Sequence, residues 1–562
     1  MKKGRLTLMM LTTLLAIPAC GEAAAPASAI TFDVTNLDMV VGQYVNIVAT
    51  YPDDETIKWS SSEPTVATVN AGQVKALSEG TAIITAQILG TDDTASCTVK
   101  VTQPLEKFYI KEPTEIRVET TFNDTYGQHL ANAAARLMKK EPNLTVTYQK
   151  HSGNYDKIRE DILKGIPAGD YPDVTAAYPD TVADFITAQV ANDMDPYINN
   201  EEYGWTEDDR LDFYDKYVQE GQHYSIPGTL SLPIAVSTEA MYYDADKIIG
   251  LQLDGINDNQ AINEEYMNNL TWEELFDKFA PALLAYRETL ATESAKKAFL
   301  DTSVNGYSVV GLDSDANFFI TLAEQYGYGY TSYNSENFTA SIDFVNDGMK
   351  TLMKKFRTYH QNKLFTTQGA YGNYVNKLFT TDALLLSIGS TGGAFYQFDS
   401  KNPKNIKIAR LPHAEGKELK MIQQGPSIAF LSHGDENKSL ASWLYYKELT
   451  TKPACASWAI ASGYSPIRKS VFFERAYMSY RDVTTKTEKT SDMLLARNAN
   501  YVDETFDYLF TSPVFKGSSE ARVQVNGLVT AALADEIKSG QSLDDFINSL
   551  FNDAYSNTIL KM

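Results

Sequence analysis

The hydrophobic period of this chain changes once, and that change limits its architecture more than any single motif. Between Ile30 and Val101, apolar residues alternate with polar ones in short runs separated by turn residues. From Ile116 onward, short strand-like runs alternate with stretches of helical period. A period of two sets alternate side chains on opposite faces of a strand, whereas a period of 3.6 gathers them on one face of a helix. A small all-β unit is therefore followed by a larger α/β unit. The chain's 562 residues would divide into three or four units at roughly 150 residues each.

In the first part, Val45–Ala49, Ile57–Ser60, Ala82–Ala86 and Cys97–Val101 can each turn one face to a core and one to water, as in a sandwich. A proline-punctuated joint, 103–114, leads into the second part. There Ile116–Thr121, Leu144–Tyr148 and Asp173–Tyr178 read as strands, and Tyr126–Lys140, Asn154–Lys164 and Asp180–Val190 as helices. Leu130, Ala134, Leu137 and Met138 form the apolar stripe of the first helix, which Pro142 ends. This βαβαβα order implies a parallel sheet whose ligands bind beyond the carboxyl ends of its strands. Asn337–Tyr359, Lys438–Leu449 and Pro453–Ser462 read as further helices, and Ala383–Ile388 and Ser427–Leu431 as strands. Met349, Leu352, Met353 and Phe356 are expected to face a core.

Charge and cysteine usage narrow the functions available. The 49 basic and 72 acidic residues give a formal charge of −23, without the basic stripe that binding nucleic-acid phosphates requires. Three cysteines make no disulfide framework, and six histidines without HExxH spacing make no zinc hydrolase. No GxSxG, SxxK or P-loop stands in a context that supports catalysis. No cofactor, metal or catalytic residue is expected, and the chain is read as a monomer that is not an enzyme. Paired carboxylates ~5–9 Å apart across a sugar would be needed for an exported glycan-active enzyme. That alternative stays open, because sequence does not display such separations.

The N-terminus combines Lys2, Lys3 and Arg5 with an apolar stretch, Leu8–Ile17, too short to span a ~30 Å hydrocarbon core. Residues 1–20 read as an export signal, and removing them leaves 46 basic against 72 acidic residues, or −26. Leu15–Cys20 resembles the lipobox of bacterial lipoproteins, with Pro18 departing from the usual small residue. That resemblance implies acylation of Cys20 and anchoring outside the cytoplasm at a membrane, each buried CH₂ contributing ~0.8 kcal/mol. Residues 21–29 read as a flexible tether.

Residues 30–102 resemble a bacterial immunoglobulin-like group 2 domain, on the strings Ile57–Val69, Gly72–Ala76 and Glu79–Ala86. The resemblance implies a core Trp59, a buried Cys97 thiol and a spacer role, with an adhesin as the alternative.

Residues 115–562 resemble the extracellular solute-binding proteins (family 1) of carbohydrate ABC importers, near the glycerol-3-phosphate binders and their sugar-binding relatives. Five strings in order carry this: Gly153–Asp156, Tyr171–Val174, Ser237–Asp244 after Leu232–Pro233, Thr271–Leu275 and Gly463–Ile467. The resemblance implies a periplasmic-binding-protein-like fold of two α/β lobes that close on a ligand and dock on membrane permease subunits. Carried over residue by residue, it marks Tyr155, Ser237, Thr238, Tyr464 and Arg522 as ligand contacts, with Asp180 replacing the relatives' glutamate. Tyr155 could equally staple its helix, and Ser237 and Thr238 could serve as caps. Two turns add backbone N–H groups that can approach an oxygen-rich ligand: Ser390, Thr391 and Gly392 before Gly393, and Gly425 after Gln424. Glu239 stands where glycerol-3-phosphate binders carry proline, and no pocket tryptophan occurs near Asp313–Phe319. A sugar or oligosaccharide is therefore placed ahead of a glycerophosphate or glycerophosphodiester. The 34 tyrosines and five tryptophans supply flat faces suited to a pyranose.

Overall fold

A computed structural model describes residues 29–52, 55–103, 107–334 and 339–562. Cys20, the export signal and residues 21–28 of the tether lie outside the described residues. The chain separates into two compact units, one ending at Lys107 and one starting at Phe108.

The first unit is built from a four-stranded and a three-stranded sheet. Asn36–Val40, Thr94–Thr102, Gly80–Ile88 and Ile57–Ser61 follow one another in the larger; Tyr44–Asn46, Gln73–Ala76 and Ala67–Asn70 form the smaller. Alternation along Gly80–Ile88 and Thr94–Thr102 buries Ala82, Ile84, Cys97, Val99 and Val101 in one core with Ile47 and Val74. Cys97 is a buried thiol, as expected. The Val45–Ala49 run is split, its ends pairing with Gln73–Ala76 and with Thr31–Phe32. Trp59 corrects its expectation. It sits on the edge strand Ile57–Ser61 and is only half-buried, stacked on Phe32 with ring centroids 5.1 Å apart. With no strand beyond it, the ring keeps water on one side.

Two five-stranded sheets organise the second unit. In the first lobe the order is Leu144–Lys150, Thr114–Thr120, Val174–Ala177, Ser427–Phe430, Ser231–Pro233. The first three strands are parallel, as the βαβ pattern requires. The last two pairings are antiparallel, which corrects the expectation of a parallel sheet. The physical reason is connectivity: Ser427–Phe430 enters from the second lobe and runs against the strands beside it. The second lobe repeats the scheme as Phe365–Thr367, Val310–Leu312, Leu386–Ser390, Glu239–Asp244, Ile406–Ala409. Here Glu239–Asp244, arriving from the first lobe, is the antiparallel intruder.

Each lobe has its own core. The Asp124–Lys140 helix, capped by the Asn123 side chain, buries Leu130, Ala134 and Leu137 against Ile116, Val118 and Phe430. Each buried leucine contributes ~1.5–3 kcal/mol relative to exposure. In the second lobe Met349, Leu352, Met353 and Phe356 pack with Val310, Phe318 and Ile388. The helix expected over 337–359 is shorter. Thr339–Ile342 is a strand paired with Thr331–Asn334, and the helix starts at Asp347. Asn346 decides that start by accepting from the Met349 amide, and β-branched Thr339 and Ile342 favour the hairpin. The helix after Val174–Ala177 runs Pro179–Thr187 and stops before Gln189, whose φ is 60°.

The segments through Ser237 and Gln424 cross between the lobes, and Ser465 meets them from the first lobe, where Trp458 and Ile467 on either side of it are packed. Ser237 and Gln424 exchange backbone hydrogen bonds of 2.8 and 2.9 Å, and Ser465 donates to the Val236 carbonyl at 2.8 Å. Gly425 has φ +106°, and a Cβ there would fall 1.6 Å from the Ala235 carbonyl oxygen. Only glycine lets these two crossings touch.

Candidate functional site

A cavity of about 630 Å³ lies between the lobes. Its floor is the crossings, through Ser237, Glu239, Gln424 and Gly425; the first lobe adds Asn123, Tyr126 and Tyr178. The second lobe adds Asp313, Ser314 and Asn317 where the Asp315–Tyr326 helix begins, and the Ser390–Gln397 turn. These are the ends of strands and starts of helices, where a doubly wound sheet leaves room for a ligand.

Six of the ten expected residues reach this cavity: Ser237, Ser390, Gly392, Gly425, Tyr464 and Arg522. Tyr464 is wedged. Its ring stacks on Trp458 (6.2 Å, 10°), meets Tyr126 edge-on (6.2 Å) and lies against Gly392. Burial holds its phenol well above the usual tyrosine range, so it stays a neutral donor and acceptor. The Ser390 hydroxyl donates to Ser237 Oγ and accepts from the Gly392 amide, both at 3.2 Å. The turn that follows is a 3₁₀ helix, Thr391–Gln397, so the amide expected to face a ligand is already capped.

Four expected residues stand elsewhere. Tyr155 packs edge-on behind Tyr178, ring centroids 5.0 Å apart, and it is Tyr178 that faces the cavity. Thr238 and Thr391 are buried and bond each other, Thr238 N to Thr391 Oγ1 at 3.1 Å and Thr391 N to the Thr238 carbonyl at 2.8 Å. They tie a crossing to the second sheet. Asp180 lines a smaller neighbouring chamber that shares Tyr178, Gln424, Gly425 and Arg522 with the cavity.

A polar network lies under the cavity. Arg522 Nη2 donates to Asn317 Oδ1, while Asn317 Nδ2 donates to Glu239 Oε1 (3.2 Å) and Gln424 Oε1 (2.7 Å). It joins the Ser518–Ala534 helix, the second lobe and two crossings. Burial pushes the Glu239 carboxyl up to about 7, against the Asn317 hydrogen bond and the Arg522 charge. Burial likewise raises Asp313 to about 6, opposed by the Val375 amide 2.6 Å from it. Gln424 Nε2 and Gln397 Oε1 are buried without hydrogen-bond partners. Buried polar atoms of that kind are rare unless something completes them. Tyr374 and Tyr396 also line the cavity, 55% and 60% exposed.

Sequence reasoning missed Tyr178, Glu239, Asn317, Tyr374, Tyr396 and Gln397 as lining residues. Tyr178 is findable as the end of the third strand, where the strand rule directs attention. Tyr374 sits in an irregular segment and Tyr396 in the short Thr391–Gln397 3₁₀ helix, where apolar periodicity carries no signal. Among the described residues no helix is long and apolar enough to cross a membrane, and no three or more His, Cys, Asp or Glu side chains group as metal ligands.

A family model described as bacterial extracellular solute-binding protein matches residues 132–485. No curated protein matches the sequence. Among solved structures, the chain is similar to UgpB from Mycobacterium tuberculosis, solved with glycerophosphocholine. Identity is 15%, TM-score 0.57, covering 80% of this chain and 98% of that one. The GacH receptor of Streptomyces glaucescens, solved unliganded and with acarbose, gives 14% and 0.55, covering 79% and 98%. Maltose-bound MalE3 of T. maritima gives 13% and 0.56, covering 79% and 99%. At these identities the likeness establishes a shared two-lobed fold.

Proposed function

Because the chain belongs to the bacterial extracellular solute-binding proteins, we propose that it is the binding component of an ABC importer, capturing a sugar or oligosaccharide between its lobes. The observation that carries this is the composition of the interlobe cavity. Tyrosine faces at Tyr178, Tyr374, Tyr396 and Tyr464 border a floor of amides, hydroxyls and carboxyls. Aromatic rings cover the C–H face of a pyranose while such polar groups take its hydroxyls. A volume of about 630 Å³ falls in the range of pockets that hold small ligands. Neighbours solved with maltose and with acarbose support the same class.

In this reading the protein works outside the cytoplasm, held at the membrane by acylated Cys20, with the β unit as an immunoglobulin-like spacer. The closed form would deliver ligand to permease subunits as a monomer. Titration calorimetry and thermal unfolding with mono- and oligosaccharides test it. A cognate sugar at 100 times its Kd should raise the unfolding free energy by ~2.7 kcal/mol and be recovered chemically unchanged. Turnover of the sugar would instead favour the enzyme reading.

A glycerophosphodiester is the second reading, favoured by Arg522 and Lys377 in the lining and by the neighbour solved with glycerophosphocholine. Glu239 and Asp313 in the same lining oppose an anion, which places this reading second. Glycerophosphodiesters in the same titrations decide between them.

A further inference from the structure

The chamber beside the interlobe cavity measures about 30 Å³. Beyond the walls it shares with the cavity, its polar lining is Asp180, Glu220, Gln423 and Ser512, with Pro179, Ile422 and Val514 closing the apolar side. Asp180 stands in the first turn of the Pro179–Thr187 helix, and Glu220 ends the Asp215–Glu220 helix. A water-sized group needs roughly 10–15 Å³, so the chamber admits about two non-hydrogen groups and no ring.

The Gln423 side chain points to an occupant. The residue is only 6% exposed; its amide oxygen meets no partner, and its amide nitrogen has the Glu220 carboxyl beside it without reaching good hydrogen-bonding geometry. Glu220 beside it is 9% exposed. The wall therefore offers two carboxyls, an amide with an acceptor to be completed, the Ser512 hydroxyl, which can donate or accept, and Arg522, which already donates to Asn317. A phosphate would bring negative charge against Asp180 and would leave the Gln423 amide oxygen without a donor. An ammonium group next to a hydroxyl satisfies the set: the ammonium donates to the carboxyls and the amide oxygen, and the hydroxyl accepts from the amide nitrogen.

We propose that this chamber receives the protonated amine of an amino sugar whose ring lies in the adjoining cavity, with Glu220 and Asp180 as its acceptors. The assignment rests on the sugar reading of the cleft and narrows it to a class. Burial pushes Glu220 up to about 8, with the neighbouring Gln423 amide opposing it, so near neutral pH an arriving ammonium displaces its proton.

The test is calorimetry on the full chain with glucosamine, galactosamine and mannosamine, each beside its neutral parent and its N-acetyl form. At least one amine should bind about ten-fold or more tightly than both counterparts. Its heat at pH 7 should vary with the buffer's ionisation heat as a proton is released. Glu220→Gln should abolish the preference and the proton release. Asp180→Asn, at a half-buried position, carries the same test if Glu220→Gln does not fold. Equal binding of neutral parents would overturn the amine assignment and leave the sugar reading intact. Amine preference surviving in both variants would overturn the chamber. Failure of every sugar, amine-bearing or neutral, together with the oligosaccharides of the titrations above, would overturn the cleft reading as well.

Discussion

The ring of Tyr464 rests on the backbone of Gly392: a Cβ built on that glycine would lie 2.5 Å from Tyr464 Cε1. Trp458 and Tyr126 hold the ring from other sides, so it cannot swing away without repacking. Gly392→Ala is therefore expected to cost about 1–3 kcal/mol of stability from overpacking, and to weaken ligand binding by displacing Tyr464. Urea unfolding and calorimetry on the same protein check both. Tyr464→Ala should relieve the clash in the double variant while losing affinity.

Asn317 is the hub between Arg522, Glu239 and Gln424. Asn317→Leu removes a partner from three side chains at once; of these Glu239 is buried, and leaving it unpaired costs about 1–3 kcal/mol, whereas Gln424 and Arg522 are half-buried. A marked drop in stability is expected, whereas Arg522→Ala, which leaves the Asn317–Glu239 bond, should weaken binding with the fold retained. Comparable stability of Asn317→Leu and wild type in urea would show that the network carries little weight.

Glu220 and Glu239 predict a falling stability with rising pH. Both carboxyls are held above their ordinary value of 4.5 by burial, Glu220 at about 8 and Glu239 at about 7. The folded state therefore binds more protons than the unfolded one between about pH 4.5 and 8. Their contribution is fully present below pH 4.5 and is lost as pH rises through 7 and 8, each carboxyl contributing a slope of at most ~1.4 kcal/mol per pH unit. Urea unfolding across pH 5–8.5 measures the slope, and Glu220→Gln should flatten its upper part.

Tyr374 and Tyr396 are the exposed aromatics of the cavity. Tyr374→Ala and Tyr396→Ala should each reduce sugar affinity, by about ten-fold if the ring stacks on a pyranose, with stability changed by less than about 0.5 kcal/mol. Unaltered affinity in both would remove them from the site.

Much of the framework is legible in the sequence for a local reason. Period-2 alternation along Ala82–Ala86 and helical period along Tyr126–Lys140 depend only on which faces are buried; both elements form, extended to Gly80–Ile88 and Asp124–Lys140. Asn123, Asn154 and Pro179 mark helix starts within a residue or two, because capping and a fixed φ act locally. The helix expected from 337 begins too early because its true start depends on the Asn346 cap, which apolar periodicity does not register. Trp59 reads as core because sequence does not reveal that its strand lies at an edge.

The sequence by itself determined a β unit ahead of an α/β unit, the order of the elements, and candidate contacts at Tyr464, Arg522 and the Ser390–Gly392 turn. Only the tertiary structure decided the strand directions set by chain crossing, the burial of Thr238 and Thr391 against each other behind the cavity, and the exchange of Tyr155 for Tyr178 in its lining. It also joined Asn317, Glu239, Gln424 and Arg522, which lie up to 283 positions apart from Glu239 to Arg522. Local propensity acts over a turn or two, whereas a binding cavity is made where distant segments meet, and that meeting is fixed by packing of the whole lobe pair.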